Sequence, residues 1–131
     1  MFSFFFKKNI KPNKKEFEYK TFNKLNDRKK SSSNKLIEYP DNLPIIIENG
    51  NDKSNYSINK NILILNKELT IEQLIFFVRK DANVVNNNTN IYIYISNNNK
   101  LKVPKCNTTI NYNYSKYKDV DGFLYIYYVI A

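Results

Sequence analysis

The stretch that decides the fold runs from residue 61 to residue 80 and reads NILILNKELTIEQLIFFVRK. Its first part, residues 62–65, is a short apolar run, which is typical of a buried strand. From Ile71 to Val78, apolar residues recur at i, i+3, i+4 and i+7, and this period predicts a helix over residues 67–80 with one apolar face. Thr70, followed three residues later by Gln73, forms the capping-box pattern that starts a helix.

Further strands are predicted on both sides of this stretch. Upstream, residues 45–47 form an all-apolar run, as expected for a strand that is covered on both faces. Downstream, Ile and Tyr alternate strictly over residues 91–95, which predicts a half-buried strand with Ile inward and Tyr outward. A polar turn is predicted over residues 96–100 and a short helix within residues 107–118. Residues 123–130 read FLYIYYVI and predict the last strand.

The order of these elements is strand, strand, helix, strand, short helix, strand, and it predicts an α+β fold. A right-handed crossover would place the first and last strands parallel at the centre of one sheet, with the helix across one face. The order is similar to that of the ubiquitin-like β-grasp, with a mixed four-stranded sheet, a crossover helix and an N-terminal helical extension. We therefore divide the chain into an extension, residues 1–35, and a ubiquitin-like domain, residues 36–131.

Positive charge is concentrated in the predicted extension. The chain of 131 residues has a net charge of +9, and residues 1–35 hold 11 basic against 3 acidic residues, which gives +8. Aromatic residues are interleaved with these cations, so three interpretations stay open: a solvated arm packed on the domain, contact with an anionic membrane or a protein, and nucleic-acid binding. The candidate membrane-contact residues are Phe4, Phe5, Lys7, Lys8 and Lys11.

Missing residue types exclude most catalytic and metal chemistry. The chain has no His, which excludes histidine-based catalytic triads and every histidine-containing metal site. Its one cysteine, Cys106, cannot form an internal disulfide, and the two glycines are too far apart for a phosphate loop. We predict no catalytic residues, no metal and no cofactor. The apolar start of the chain is followed by Lys7 and Lys8, the reverse of the order in a signal peptide.

Three blocks of sequence resemble one known family, in the right order and at nearly the right spacing. Residues 39–48, YPDNLPIIIE, resemble Tyr-Pro-Asp-Arg-Val-Pro-Val-Ile-x-Glu. Residues 69–74, LTIEQL, followed by VRK at 78–80, resemble Leu-Thr-Val-x-Gln-Phe followed by Ile-Arg-Lys, and residues 117–125, YKDVDGFLY, resemble His-Lys-Asp-Glu-Asp-Gly-Phe-Leu-Tyr. The family is that of autophagy-related protein 8, the ubiquitin-like modifiers of GABARAP and light-chain-3 type. The resemblance covers residues 36–128, and residues 1–35 more loosely.

The resemblance implies a non-enzymatic protein whose groove docks aromatic-x-x-aliphatic motifs of autophagy receptors and adaptors during autophagosome formation. It also implies a cytoplasmic location, with the autophagosome or a cytoplasmic vesicle membrane as a second one. The matching edge strand is residues 61–66. By the resemblance, the pocket for the aromatic anchor consists of Pro44, Ile62, Ile64 and Phe123. The pocket for the aliphatic anchor consists of Leu63, Leu65, Leu74 and Phe77. The alternative is that these eight residues are ordinary sheet and helix core.

Several positions depart from the family pattern. Asn42 stands where the family has Arg, Ile62 where it has Lys, and Asn66 where it has Pro. The loss of two cations is expected to weaken contacts to acidic flanks of a peptide, for which the basic arm could compensate in part. The sequence ends in Ala131 without the C-terminal glycine that the family conjugates to lipid, so we expect no lipidation by that route. The alternative function is peripheral membrane or nucleic-acid binding through residues 1–35.

Overall fold

A computed structural model describes residues 10–131 of the chain. Phe4, Phe5, Lys7 and Lys8, four of the candidate membrane-contact residues, lie outside the described residues. The elements in chain order are α1 (Glu18–Phe22), α2 (Leu25–Glu38), β1 (Asn42–Asn49), β2 (Ile62–Asn66), α3 (Ile71–Asp81), β3 (Ile91–Asn97), β4 (Lys100–Lys102), α4 (Ile110–Tyr117) and β5 (Leu124–Ile130). Not one helix within residues 10–131 combines the length and the apolarity that a membrane crossing needs.

The strands form one mixed sheet in the order β2-β1-β5-β3-β4. The first and last strands, β1 and β5, are parallel neighbours at its centre, and the other pairs are antiparallel. This arrangement confirms the predicted α+β fold with a crossover helix. The sheet has five strands rather than the predicted four, because Lys100–Lys102 pairs with β3 across a tight turn. That turn uses Asn98 and Asn99, with φ of 52° and 65°, where hairpins more often carry glycine.

The first core lies between the sheet and the helices α3 and α4. The stripe predicted on α3 is buried, with Leu74 and Val78 fully enclosed, and Ile110 of α4 packs into the same core. The predicted capping box is present: the Thr70 hydroxyl accepts from the main-chain N–H of Gln73, and the Gln73 side chain accepts from the N–H of Thr70. The period of the sequence therefore placed this helix and its inner face correctly.

The second core lies on the opposite face of the sheet, beneath the N-terminal segment. It contains Phe17, Ile46, Tyr94, Phe123, Tyr125, Tyr127 and Val129. Tyr94 is buried here and its hydroxyl donates to the carbonyl of Ile10. The expectation that the tyrosines of β3 face outward is therefore wrong for Tyr94. The physical reason is that the chain before α1 covers this face, which an alternating pattern within β3 alone cannot indicate.

Helix α2 is hydrogen-bonded to the loop that precedes β5. It runs to Glu38, beyond the boundary predicted at residue 35. The Arg28 Nε donates to the buried carboxylate of Asp121 at 2.7 Å, and the Ser32 hydroxyl donates to the carbonyl of Asp121 at 2.5 Å. These contacts join the basic N-terminal segment to the sheet through buried groups.

Candidate functional site: an open sheet edge between two apolar faces

Strand β2 forms one edge of the sheet, and among residues 10–131 it pairs with β1 alone. One main-chain hydrogen bond lies at each end of the β1–β2 ladder. The N–H of Ile47 donates to the carbonyl of Asn61 at 2.8 Å, and the N–H of Lys67 donates to the carbonyl of Asp41 at 3.1 Å. Bonded pairs alternate along an antiparallel ladder, so Leu63 and Leu65 bond to β1. The main-chain N–H and C=O groups of Ile64 therefore point away from the sheet, toward the open edge.

One side of this edge carries the four residues that the resemblance assigned to the aromatic-anchor pocket. Pro44 lies directly across from Ile64 in the strand register, and Ile62 packs with Phe123 in the second core. Pro44 and Phe123 are buried, whereas Ile62 and Ile64 are only partly buried. The structure thus brings the four predicted residues to one face, with Ile62 and Ile64 accessible and the other two behind them.

The other side of the edge carries the four residues assigned to the aliphatic-anchor pocket. Leu63 and Leu65 pack toward the first core, in which Leu74 is fully enclosed. Phe77 is 37% exposed on the outer face of α3. The structure brings Leu63, Leu65 and Leu74 together on one face of the sheet, whereas Phe77 lines an open cavity at α3.

That cavity occupies about 480 Å³ and is shaped mainly by apolar side chains. It is lined by Leu69, Gln73, Phe76, Phe77, Lys80 and Asp81. The sequence reasoning missed Leu69 and Phe76. Phe76 is 59% exposed, and it falls outside the apolar stripe of α3. A large aromatic residue on the polar side of an amphipathic helix was the signal that could have found it.

The polar groups near the edge include amides and the charged side chains of Lys67, Glu68, Lys80 and Asp81. Asn42 lies across from Asn66 at the end of the β1–β2 ladder, and the Asn66 Oδ1 accepts from the N–H of Glu68 at 2.8 Å. The Lys80 ammonium lies 5.1 Å from the centre of the Phe76 ring, within the range of a cation–π contact. The arrangement can therefore offer main-chain hydrogen bonds and apolar surface, beside side chains of both charges.

Two other candidates stand apart from this edge. Lys11 is exposed in the segment before α1. Cys106 is exposed in the connection between β4 and α4. Among residues 10–131, no three His, Cys, Asp or Glu side chains cluster closely enough to hold a metal ion.

Comparison with known proteins gives a consistent set of relatives. The family model described as "Autophagy protein Atg8 ubiquitin like" matches residues 27–130. An autophagy-related protein 8-like protein of Dictyostelium discoideum is 33% identical over 106 residues, which is 79% of this chain and 82% of that protein. Autophagy-related protein 8a of Arabidopsis thaliana is 29% identical over 110 residues, which is 84% of this chain and 86% of that protein.

Solved structures agree with the fold. The crystal structure of Trypanosoma brucei ATG8 superposes with a TM-score of 0.73 at 26% identity, covering 88% of this chain and 96% of that one. Plasmodium falciparum Atg8, solved in complex with a Plasmodium falciparum Atg3 peptide, gives a TM-score of 0.71 at 24% identity, covering 86% and 95%. With its five-stranded sheet, crossover helix and N-terminal helices, this chain belongs to the Atg8 family of non-enzymatic, ubiquitin-like autophagy proteins.

Proposed function

We propose that this protein docks short peptide segments of autophagy receptors and adaptors along the open edge of β2. The observation that carries the proposal is the outward-pointing main chain at Ile64, with an apolar face on each side of it. An extended peptide can join such an edge through main-chain hydrogen bonds, while alternate side chains enter the two faces. The Atg3 peptide held by the Plasmodium falciparum relative supports a peptide partner.

The two sides of the edge would take different anchors. An aromatic side chain would rest on Ile62 and Ile64, and an aliphatic one would enter the cavity beside Leu69 and Phe77. Asn42 and Ile62 stand where the family has Arg and Lys, so two cations that could have contacted acidic flanks are absent. Binding would therefore depend on apolar burial and main-chain bonds more than on charge, and would act in the cytoplasm and at the autophagosome membrane.

The decisive variant is Ile64→Pro, because proline removes the outward N–H and leaves the ladder to β1 intact. We expect the affinity for an aromatic-x-x-aliphatic peptide to fall by about tenfold or more, since one hydrogen bond is lost and the ring blocks the edge. The matched control, Ile64→Val, keeps the N–H and most of the apolar surface, and should bind within about threefold of the native protein. Isothermal titration calorimetry measures both affinities.

A thermal unfolding curve of Ile64→Pro first establishes that the variant is folded. Peptide affinity that is equal in Ile64→Pro and Ile64→Val would overturn the edge assignment, because main-chain pairing at this strand would then contribute nothing.

A further inference from the structure

A second and larger cavity lies on the opposite side of the molecule from β2, between α1 and the β3–β4 hairpin. Its volume is about 660 Å³, within the range of small-molecule sites. In the strand register Ser96 lies across from Leu101, and both line this cavity. The residues that decide its chemistry are Lys14, Lys15, Lys20, Phe17, Leu101 and Tyr127.

Tyr127 supplies a buried hydrogen-bond donor at this cavity. Its side chain is 2% exposed, and its hydroxyl has no hydrogen-bond partner among residues 10–131. A buried hydroxyl without a partner is costly, so such a group calls for an acceptor from beyond residues 10–131. Burial and the nearby carboxylates of Glu48, Glu16 and Glu18 raise the pKa of Tyr127, which keeps the phenol protonated as a donor.

Three ammonium groups line the same cavity. Lys20 contacts the carboxylate of Asp119 at 2.7 Å, and Lys14 lies 3.5 Å from the exposed carboxylate of Glu18. Within residues 10–131, Lys15 has no carboxylate partner at ion-pair distance. Carboxylates oppose an anion here, because Glu16 lines the cavity and Glu18 and Glu48 act on the Tyr127 hydroxyl; Lys15 is the lining cation that an anion would have to engage.

The wall between these polar groups is aromatic and aliphatic. Phe17 stacks on Tyr127 with ring centres 3.9 Å apart and planes 9° apart, and Leu101 is 39% exposed beside them. A ligand with an acceptor-rich group for Tyr127 and Lys15 and an apolar part for this wall would match both features. Carboxylates and phosphates both satisfy the charge, and a phosphate offers more acceptor oxygens to several donors at once.

We propose that this cavity binds a small organic phosphate, with the Tyr127 hydroxyl and the Lys15 ammonium donating to the phosphate oxygens. The organic part would lie against Phe17 and Leu101. The phosphate could belong to a free small molecule or to a lipid headgroup, since both present the same group. This site is separate from the β2 edge, so the proposal does not depend on peptide docking.

Phenyl phosphate is the soluble probe, titrated by NMR into the full chain. We expect Tyr127→Phe to weaken binding about tenfold or more, because a hydrogen bond to a charged group is lost. Tyr128→Phe is the matched control: Tyr128 is the next residue on β5, and its hydroxyl accepts from the N–H of Ile58 at 3.1 Å. That variant should leave the affinity for phenyl phosphate unchanged.

Two charge variants test the sign of the electrostatics. Lys15→Gln should weaken phosphate binding, and Glu16→Gln should strengthen it, because both side chains line the cavity with opposite charges. Co-sedimentation with phosphatidylcholine vesicles, with and without a phosphatidylinositol phosphate, distinguishes the sources. Binding to vesicles that depends on Tyr127 and Lys15 assigns the phosphate to a headgroup. Binding to phenyl phosphate alone assigns it to a soluble molecule. Failure of both probes, or binding that ignores Tyr127→Phe, overturns the proposal.

Discussion

At the scale of single residues, Gly122 and Ser32 set how closely α2 approaches the sheet. Gly122 has a φ of 90°, a left-handed conformation that other residues rarely adopt. A Cβ at this position would collide with the Ser32 side chain, which is itself buried. Small residues on both sides of the contact therefore allow the Ser32 hydroxyl to reach the carbonyl of Asp121.

Tyr127 gives a second prediction at the residue scale, on stability rather than binding. Tyr127→Phe removes a buried hydroxyl that has no partner among residues 10–131, so we expect the free energy of unfolding to rise by about 1 kcal/mol in the absence of ligand. Tyr128→Phe should lower it, because the hydroxyl of Tyr128 accepts from Ile58. Urea denaturation measures both. A Tyr127→Phe protein less stable than the native one would show that the hydroxyl has a partner.

At the scale of elements, α2 is held to the sheet by one buried carboxylate. Asp121 accepts from the Arg28 side chain, from the hydroxyl of Tyr125 and from the N–H of Phe123 at 2.9 Å. The carboxylate side chain is fully enclosed, while the Arg28 side chain is 12% exposed. The partners of this one group thus belong to a helix, a loop and a strand, which couples the N-terminal segment to β5.

Arg28→Ala should lower the free energy of unfolding by about 3 kcal/mol, because removing one partner of a buried ion pair leaves an uncompensated charge. Lys29→Ala is the control on the same helix: Lys29 is exposed, and its loss should cost less than about 0.5 kcal/mol. Denaturant unfolding of the two variants provides the comparison. Equal stabilities would mean that Asp121 finds its compensation without Arg28.

At the scale of the whole molecule, the sheet is covered on both faces, while among residues 10–131 its edge strands, β2 and β4, are open. Helices α3 and α4 cover one face, and the N-terminal segment covers the other. The two proposed binding sites lie at opposite ends of this sheet, one beside β2 and one beside β4. Occupation of either site can therefore proceed without contact between the two ligands.

Acid stability tests the attachment of the N-terminal layer to the rest of the molecule. Burial acts to raise the pKa of Asp119, but hydrogen bonds from Lys20 and the Asp121 N–H, with the nearby Arg28 charge, lower it below its usual value. The stabilisation is therefore present above the unfolded pKa of about 4 and is lost as the pH falls through the folded pKa. Lys20→Gln should make the loss of stability below pH of about 4 less steep. Parallel curves for the two proteins, measured by urea unfolding against pH, would contradict this.

Much of the fold was predictable from local patterns. The period of residues 71–78 placed the inner face of α3, and Thr70 with Gln73 placed its start. The alternation of residues 91–95 placed β3, and Ile110 and Tyr114 placed the buried side of α4. The eight groove residues came from the resemblance, and the strand register then divided the five that lie on β1 and β2 between the two faces of the sheet.

The sequence by itself determined the order of the main elements, the inner faces of α3 and α4 and the membership of the family, because these depend on periods and blocks that are local in the chain. Tertiary structure alone decided that Lys100–Lys102 is a strand, that Tyr94 and Tyr127 are buried, and that Leu69 joins Phe76 and Phe77 at one cavity. These features depend on which distant segment covers a given surface. The alternation of residues within one segment shows which side chains share a face, but it does not show which distant segment buries that face.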